Sequence, residues 1–251
     1  MNTTVYGRPQ NKCHSERNSC MNIGIIGSGN IGSTLARNLR ALGHEVLIAN
    51  SRGPSTLSAF AAETGVVAAT PEQAAKEKDL VILAIPQLAV TDLPISVLQA
   101  NSAVVVDAGN YYPARDGTVT KIEAGATDSE WIASVLGRPV IKAFNNILAA
   151  SLARLGTADE TRARIALSVA GDDPTAKQLV QSVIREMGFD AIDGGTLSDS
   201  WRQQPGTPGY CKDMSAPQLK AALASADRAE ILRYRMEANE AAAPYLTPFK
   251  G

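Results

Sequence analysis

The sequence predicts an α/β fold: a mostly parallel, doubly wound sheet with helices on both faces, then a smaller C-terminal α/β region and a long terminal helix. Three observations predict it. From Met21 onward, short β-branched runs alternate with longer stretches of helical periodicity. Several of the runs are continuously apolar, as strands covered on both faces must be. A glycine-rich segment joins the first run to the first helix.

Eight strands follow from the runs, centred on Asn22 to Ile26, Glu45 to Ala49, Val66 to Ala69, Leu80 to Ala84, Ala103 to Asp107, Val140 to Ala143, Arg164 to Val169 and Asp190 to Asp193. Helices fill the intervals. Ile31, Leu35, Leu39 and Leu42 recur at spacings that place them on one helical face, and Gly43 then ends that helix. Thr70, Pro71 and Gln73 read as an N-cap, a first-position proline and the partner of a capping box. Ser215, Pro217 and Gln218 repeat that start for a helix expected to run to about Ala243, before Pro244.

A chain of 251 residues with 45% hydrophobic and 20% charged residues can bury a core without staples. The 24 basic and 25 acidic residues give a net charge of -1, which offers no reason to expect binding to nucleic acid or an anionic membrane. No apolar stretch approaches the roughly 18 residues of a spanning helix. The three cysteines, Cys13, Cys20 and Cys211, form neither a zinc module nor a disulfide framework, so a reducing cytoplasm is the expected compartment. Residues 1–20 are polar, lack the apolar core of a secretory signal and are expected to be a disordered extension. Residues 21–150 then form a nucleotide-binding domain. Residues 151–251 are expected to complete the sheet and to supply a substrate loop and a dimerisation helix.

The first strand leads into Gly27-Ser28-Gly29-Asn30-Ile31-Gly32, a G-x-G-x-x-G turn inside a strand-helix-strand unit. In that context the motif implies a Rossmann-type dinucleotide site. Gly27 permits the tight turn, Gly29 lets the backbone approach a pyrophosphate, and Gly32 lets helix and strand pack closely. The N–H groups and dipole of the helix then face the anion. A site selective for NAD places Asp or Glu about 20 residues beyond the glycines. Here Asn50 stands at the end of the second strand, followed by Ser51, Arg52, Gly53, Pro54 and Ser55. Hydroxyls and a guanidinium suit a 2′-phosphate, so NADP(H) is the expected cofactor.

The runs Ile23 to Gly32, Ala49-Asn50-Ser51-Arg52 and Asp79 to Pro86 resemble those of the NADPH-dependent oxidoreductases typified by archaeal deazaflavin (coenzyme F420):NADP oxidoreductase. Val169-Ala170-Gly171-Asp172-Asp173 and Asp193-Gly194-Gly195-Thr196-Leu197-Ser198 extend the resemblance to about Ser200. It implies that Ser28, Asn30 and Ile31 lie along the pyrophosphate and Ser51 and Arg52 at the adenosine phosphate. Ile85 and Pro86 would border the nicotinamide.

Hydride transfer to a flavin-like ring needs mainly close stacking of two reactive carbons, whereas a carbonyl or imine substrate needs a proton donor within reach. Candidates lie where the fifth and sixth strands end. Tyr111 and Tyr112 could donate a proton, touch substrate or simply pack. Lys142 reads as a structural salt bridge or a catalytic group, and Asn145 as a partner of the cofactor amide or substrate, or a helix cap. The segment Trp201 to Cys211 departs from the archaeal pattern and reads as a substrate loop or an interface element. Cys211 has no local histidine and reads as a packing residue. Asp172 and Asp173 read as a helix cap and a first-turn dipole partner rather than metal ligands. The reaction expected first is hydride exchange between NADP(H) and a deazaflavin or flavin-like acceptor, in a homodimer. The alternatives are reduction of a small carbonyl or imine compound and a nonenzymatic NADPH sensor.

Overall fold

The computed structural model describes residues 20–159 and 163–249. The expected N-terminal extension therefore lies outside the described residues except for Cys20. Eight strands form among them: β1 (Asn22–Ile26), β2 (Glu45–Ala49), β3 (Val67–Ala69), β4 (Leu80–Leu83), β5 (Val104–Asp107), β6 (Ile141–Lys142), β7 (Ala166–Val169) and β8 (Asp190–Asp193). The first six pair in parallel in the order β3-β2-β1-β4-β5-β6. The order reverses between β1 and β4, and the loops after these two strands open a crevice at the carboxyl end of the sheet.

Eleven α-helices accompany them in the described residues: α1 (Asn30–Ala41), α2 (Ser58–Thr64), α3 (Pro71–Ala75), α4 (Ile95–Gln99), α5 (Pro113–Asp116), α6 (Thr120–Glu123), α7 (Asp128–Leu136), α8 (Ala149–Arg154), α9 (Pro174–Glu186), α10 (Ala216–Ser225) and α11 (Ile231–Ala242). Two apolar layers sandwich the sheet. Leu35 and Leu39 of α1 and Val180 and Ile184 of α9 pack with Ile23, Ile25 and Ile48 on one face. Ala74, Leu98, Ile132 and Leu136, from α3, α4 and α7, pack with Val81, Leu83 and Val105 on the other. The core stripe of α1 is Gly32, Leu35, Ala36 and Leu39; Leu42 has left it for the helix C-cap, where it is exposed. Gly24 lets α3 sit directly on β1, since a Cβ there would lie 1.6 Å from the Ala74 carbonyl oxygen.

Two expectations about the C-terminal region are corrected. It does not complete the sheet by a continuous ladder. Strands β7 and β8 pair with each other and, among the described residues, meet the main sheet through one antiparallel bridge between Ala170 and Lys142. Nor is there one long terminal helix. Ser215 and Gln218 make the expected capping box of α10, but the helix stops at Ser225. Ala226 turns extended, and the Asp227 carboxylate caps a new 3-10 turn by accepting the Ala229 N–H before α11 starts. Helix α10 covers the β7–β8 pair through Leu219 and Leu223, while Arg235 of α11 reaches Glu123 at 2.9 Å.

Candidate active site

The loop after β1 is shaped by three glycines with different tasks. Gly27 has φ +116, and a Cβ there would meet the Ala84 carbonyl oxygen at 2.1 Å, so the turn and the β4 end fit only without a side chain. Gly32 lies against the same turn, its Cβ position 1.9 Å from the Gly27 carbonyl oxygen. Gly29 is the opposite case. A Cβ built on it meets no atom within 4 Å, leaving the backbone open to a ligand. Gly29 is also the N-cap of α1 and supplies no side-chain cap. The N–H groups of the first turn, which have no acceptor inside a helix, therefore face outward beside half-buried Ile31 and exposed Asn30. This cradle fits a pyrophosphate by chemistry and by space.

The end of β2 is tied to that loop by Asn50. Its buried amide donates to Ser28 Oγ at 3.2 Å and to Thr56 Oγ1 at 3.0 Å, while its oxygen accepts the Arg52 N–H at 3.0 Å. Asn50 thus shapes the loop rather than meeting a ribose with free donors. Ser51, Arg52 and Ser55 are exposed. The Arg52 guanidinium, unlike that of Arg37, which pairs with Glu63 at 2.7 Å, makes no ion pair among the described residues. A free cation and two hydroxyls at this strand end match the donor set for a phosphate on the adenosine ribose. On the far side of the crevice, Ile85 and Pro86 are half-buried, with Ile85 Cγ2 2.9 Å from the Cβ position of Gly27.

Past the β5 end the predicted residues separate. Lys142 is wholly buried, its ammonium held by Asp107 Oδ2 at 3.0 Å and the Gly109 carbonyl at 2.6 Å. Asp107 Oδ2 also accepts the Ser129 hydroxyl at 2.7 Å. A charge so enclosed cannot reach a substrate, and the catalytic reading of Lys142 is corrected to a brace under the β5 loop. Tyr111 is likewise enclosed. Its N–H goes to Asp128 Oδ2, and its hydroxyl lies within 2.9 Å of the Gly117 carbonyl and Glu123 Oε1 and accepts the Val119 N–H. Burial, first, pushes its pKa up to about 12, with the neighbouring Glu123 adding to the rise. Tyr111 packs and does not donate to substrate. Burial likewise raises the pKa of Asp128.

Tyr112 turns the other way and is half-buried, its hydroxyl 2.7 Å from that of Tyr210. Asn145 is corrected on both readings. It does not cap α8, whose N-cap is Leu148. Its side-chain amide is spent inside the protein: Nδ2 donates to Asn110 Oδ1 at 3.0 Å and to the Gln203 carbonyl at 2.7 Å, and Oδ1 accepts from Gln203 Nε2 at 2.8 Å. These contacts fasten the Trp201 to Cys211 segment across the carboxyl ends of β5 and β6. Asn110, Gln203 and Tyr210 are site components that the sequence did not single out; the amide-rich, aromatic composition of the segment was the signal available.

Burial raises the Cys211 thiol to about 11, so it stays protonated and is no ready nucleophile. Asp173 caps α9 through the Thr175 and Ala176 N–H groups. Asp172 lies before the helix and instead accepts the Leu197 N–H at 2.9 Å, so its first-turn reading is corrected. Among the described residues no cluster of His, Cys, Asp or Glu could hold a metal ion, and no helix is long and apolar enough to cross a membrane.

Residues 22–111 match the family described as NADP oxidoreductase coenzyme F420-dependent. The hypothetical protein SMa0349 of Sinorhizobium meliloti is 33% identical, with a TM-score of 0.67 over 76% of this chain and 93% of that one. A solved Arthrobacter sp. FB24 protein assigned as an F420-dependent NADP reductase is 25% identical, with a TM-score of 0.58 over 72% of this chain and 87% of that one. Rat metalloreductase STEAP3 is 27% identical over 71% of this chain. The chain spans 34% of STEAP3 and 51% of the Escherichia coli protein YjhV, to which 70 residues are 41% identical.

Proposed function

The chain belongs to the coenzyme F420-dependent NADP oxidoreductase family, and on that premise we propose that it exchanges a hydride between NADP(H) and a deazaflavin or flavin-like acceptor. The observation that carries the cofactor half is the combination of an open Gly29 with an exposed Arg52 that has no ion pair among the described residues, on one crevice. Gly27 to Gly32 receive the pyrophosphate on first-turn N–H groups, Ser51, Arg52 and Ser55 receive the 2′-phosphate, and Ile85 and Pro86 border the nicotinamide. The nicotinamide, when bound, supplies the hydride. The protein's part is to hold donor and acceptor at the β1/β4 switch point and keep water out.

The wall facing that position presents amides and phenols, with Lys142 and Asp107 paired out of reach. This favours an uncharged acceptor surface such as a ring. Tyr112 supports a second reading, because a half-buried phenol at a strand end would also serve reduction of a small carbonyl or imine. The dimer proposal rests on exposed Leu232 and Met236, four residues apart on α11 and so on one helical face. A cytoplasmic location is carried over from cysteine usage.

Titrating NADPH and NADH into the protein and its Arg52→Ala variant tests the cofactor assignment. A charge-assisted hydrogen bond contributes about 1.5–3 kcal/mol, so the variant should lose roughly one to two orders of magnitude in NADPH affinity while NADH barely changes. Equal parent affinities, or equal losses, would reject the assignment. Anaerobic NADPH oxidation with a deazaflavin, flavins, quinones, aldehydes and imines then separates the two acceptor readings.

A further inference from the structure

Five side chains from three distant segments form one hydrogen-bonded chain at the carboxyl end of the sheet, and the chain has a direction. An amide nitrogen only donates and an amide oxygen only accepts. Gln203 Nε2 donates to Asn145 Oδ1 at 2.8 Å, Asn145 Nδ2 donates to Asn110 Oδ1 at 3.0 Å, and Asn110 Nδ2 donates to the Tyr210 oxygen at 3.3 Å. The last link joins the Tyr210 and Tyr112 oxygens at 2.7 Å. Two phenols carry two hydrogens and only one lies between them. With Tyr210 already accepting from Asn110, donation outward from Tyr210 continues the chain and leaves the hydrogen of Tyr112 unspent.

Tyr112 is fixed at that outer end. Its N–H donates to Asp116 Oδ2 at 3.1 Å, and the Arg115 guanidinium lies 5.6 Å from its ring centroid, itself paired to Asp116 at 2.8 Å. A buried polar network normally closes on itself. This one ends on a half-buried donor beside the β4 and β5 strand ends. Close by in the fold, Gln87 Nε2 after β4, Asn146 Oδ1 after β6 and Gln204 Nε2 in the fastened loop are buried without partners among the described residues.

We propose that Tyr112 is the hydrogen-bond and proton donor to the acceptor, engaging a carbonyl oxygen or imine-type nitrogen bonded to or conjugated with the atom that receives the hydride, and that Tyr210 is the positioning residue that orients it. The inference rests on the oxidoreductase reading and deepens it. Hydride arrival at that atom moves one electron pair onto the engaged oxygen or nitrogen. One proton must follow to complete the two-electron reduction. Tyr112 gives that proton and takes one back from solvent at its half-exposed edge. Burial raises both phenols above the ordinary tyrosine range, so both remain protonated at neutral pH and the direction of the chain is kept. The same donor serves a deazaflavin and an imine, reduced at carbon, and a flavin, reduced at a ring nitrogen, since each has a nitrogen or oxygen bonded to or conjugated with the atom that takes the hydride.

The test uses the NADPH-loaded full chain with riboflavin, menadione and 1-pyrroline as probe acceptors, the fastest being carried through the variants. Tyr112→Phe should cut kcat/KM by about 10²-fold or more and weaken riboflavin binding, read by quenching of its fluorescence, while NADPH affinity holds. Tyr210→Phe should lose roughly 3- to 10-fold, mainly in kcat. The double variant should be no slower than Tyr112→Phe alone, because Tyr210 acts only through Tyr112. Tyr245→Phe, at a residue 88% exposed, controls for deleting a phenol as such. Turnover and riboflavin binding that survive Tyr112→Phe, or additive losses in the double variant, would overturn this inference and leave the functional reading standing. No turnover of any probe by the parent protein would overturn the functional reading and this inference with it.

Discussion

The two walls of the crevice handle polarity in opposite ways. Around Gly29 and Arg52 the donors are backbone N–H groups and one exposed guanidinium, left without partners among the described residues. Beyond β5 the polar groups belong to side chains, and nearly all are spent on one another: Lys142 on Asp107 and Gly109, Asn145 on Asn110 and Gln203, Tyr111 on Gly117, Glu123 and Val119. The difference separates two ways of building a site. The first wall is complete only when an anion arrives, and losing one donor there should cost affinity. The second is satisfied from within except at its Tyr112 end, so losing an inner member should cost stability first and chemistry second.

The largest expected effect that would break this contrast is at Lys142. Lys142→Met strips Asp107 of its cation inside the core, where an orphaned charge costs about 3–5 kcal/mol. The melting temperature should fall by many degrees. Adding Asp107→Asn should recover part of the loss, because the remaining group no longer carries a buried charge. A variant as stable as the parent would mean that the pair opens to water and that Lys142 is available to chemistry after all.

A smaller pair of substitutions sharpens the first wall. Gly32→Ala puts a methyl against the Gly27 backbone oxygen, where nothing flexible can yield. Overpacking of this kind costs about 1–3 kcal/mol, visible as a lower denaturation midpoint. Gly29→Ala meets no atom within 4 Å and should melt with the parent. It should nonetheless weaken NADPH binding, since the methyl stands where the pyrophosphate approaches. If both variants lose stability and keep affinity, Gly29 is structural and the cradle lies elsewhere.

The first wall was legible in the sequence because its parts are local. A strand, three glycines and a helix start lie within eleven residues, and the apolar runs place every strand of the described chain near its observed bounds. The second wall was not legible in detail. Tyr111 and Tyr112 are neighbours in extended backbone, where successive side chains point to opposite sides. Their spacing therefore says that one is inside and cannot say which. Lys142 ends a strand that reads as apolar, and its partner Asp107 lies 35 residues away. Asn145 meets Gln203 across 58 residues and Tyr112 meets Tyr210 across 98, distances at which no periodicity signals contact. The broken terminal helix failed for a different reason. Good helix formers flank Asp227 on both sides, and only the cap geometry shows that it starts a new element.

The smallest expected effect lies in Tyr111, and its pH dependence separates a spent hydroxyl from a reactive one. In the folded protein burial holds the phenol near pKa 12, whereas the unfolded chain has the ordinary value of about 10. The native state binds this proton more tightly. Its contribution to stability is therefore complete below about pH 10 and is lost as pH rises through about 12. Tyr111→Phe keeps the ring in the core but strands the Val119 N–H, at a cost of about 1 kcal/mol. Melting curves from pH 8 to pH 12 should show the parent above the variant at pH 8, with the gap closing at the alkaline end. Tyr112 and Tyr210 titrate in both proteins, so the difference between the curves isolates Tyr111. Curves that stay parallel throughout would show the hydroxyl to be reached by water in the folded state, and the assignment of Tyr111 to packing would fall.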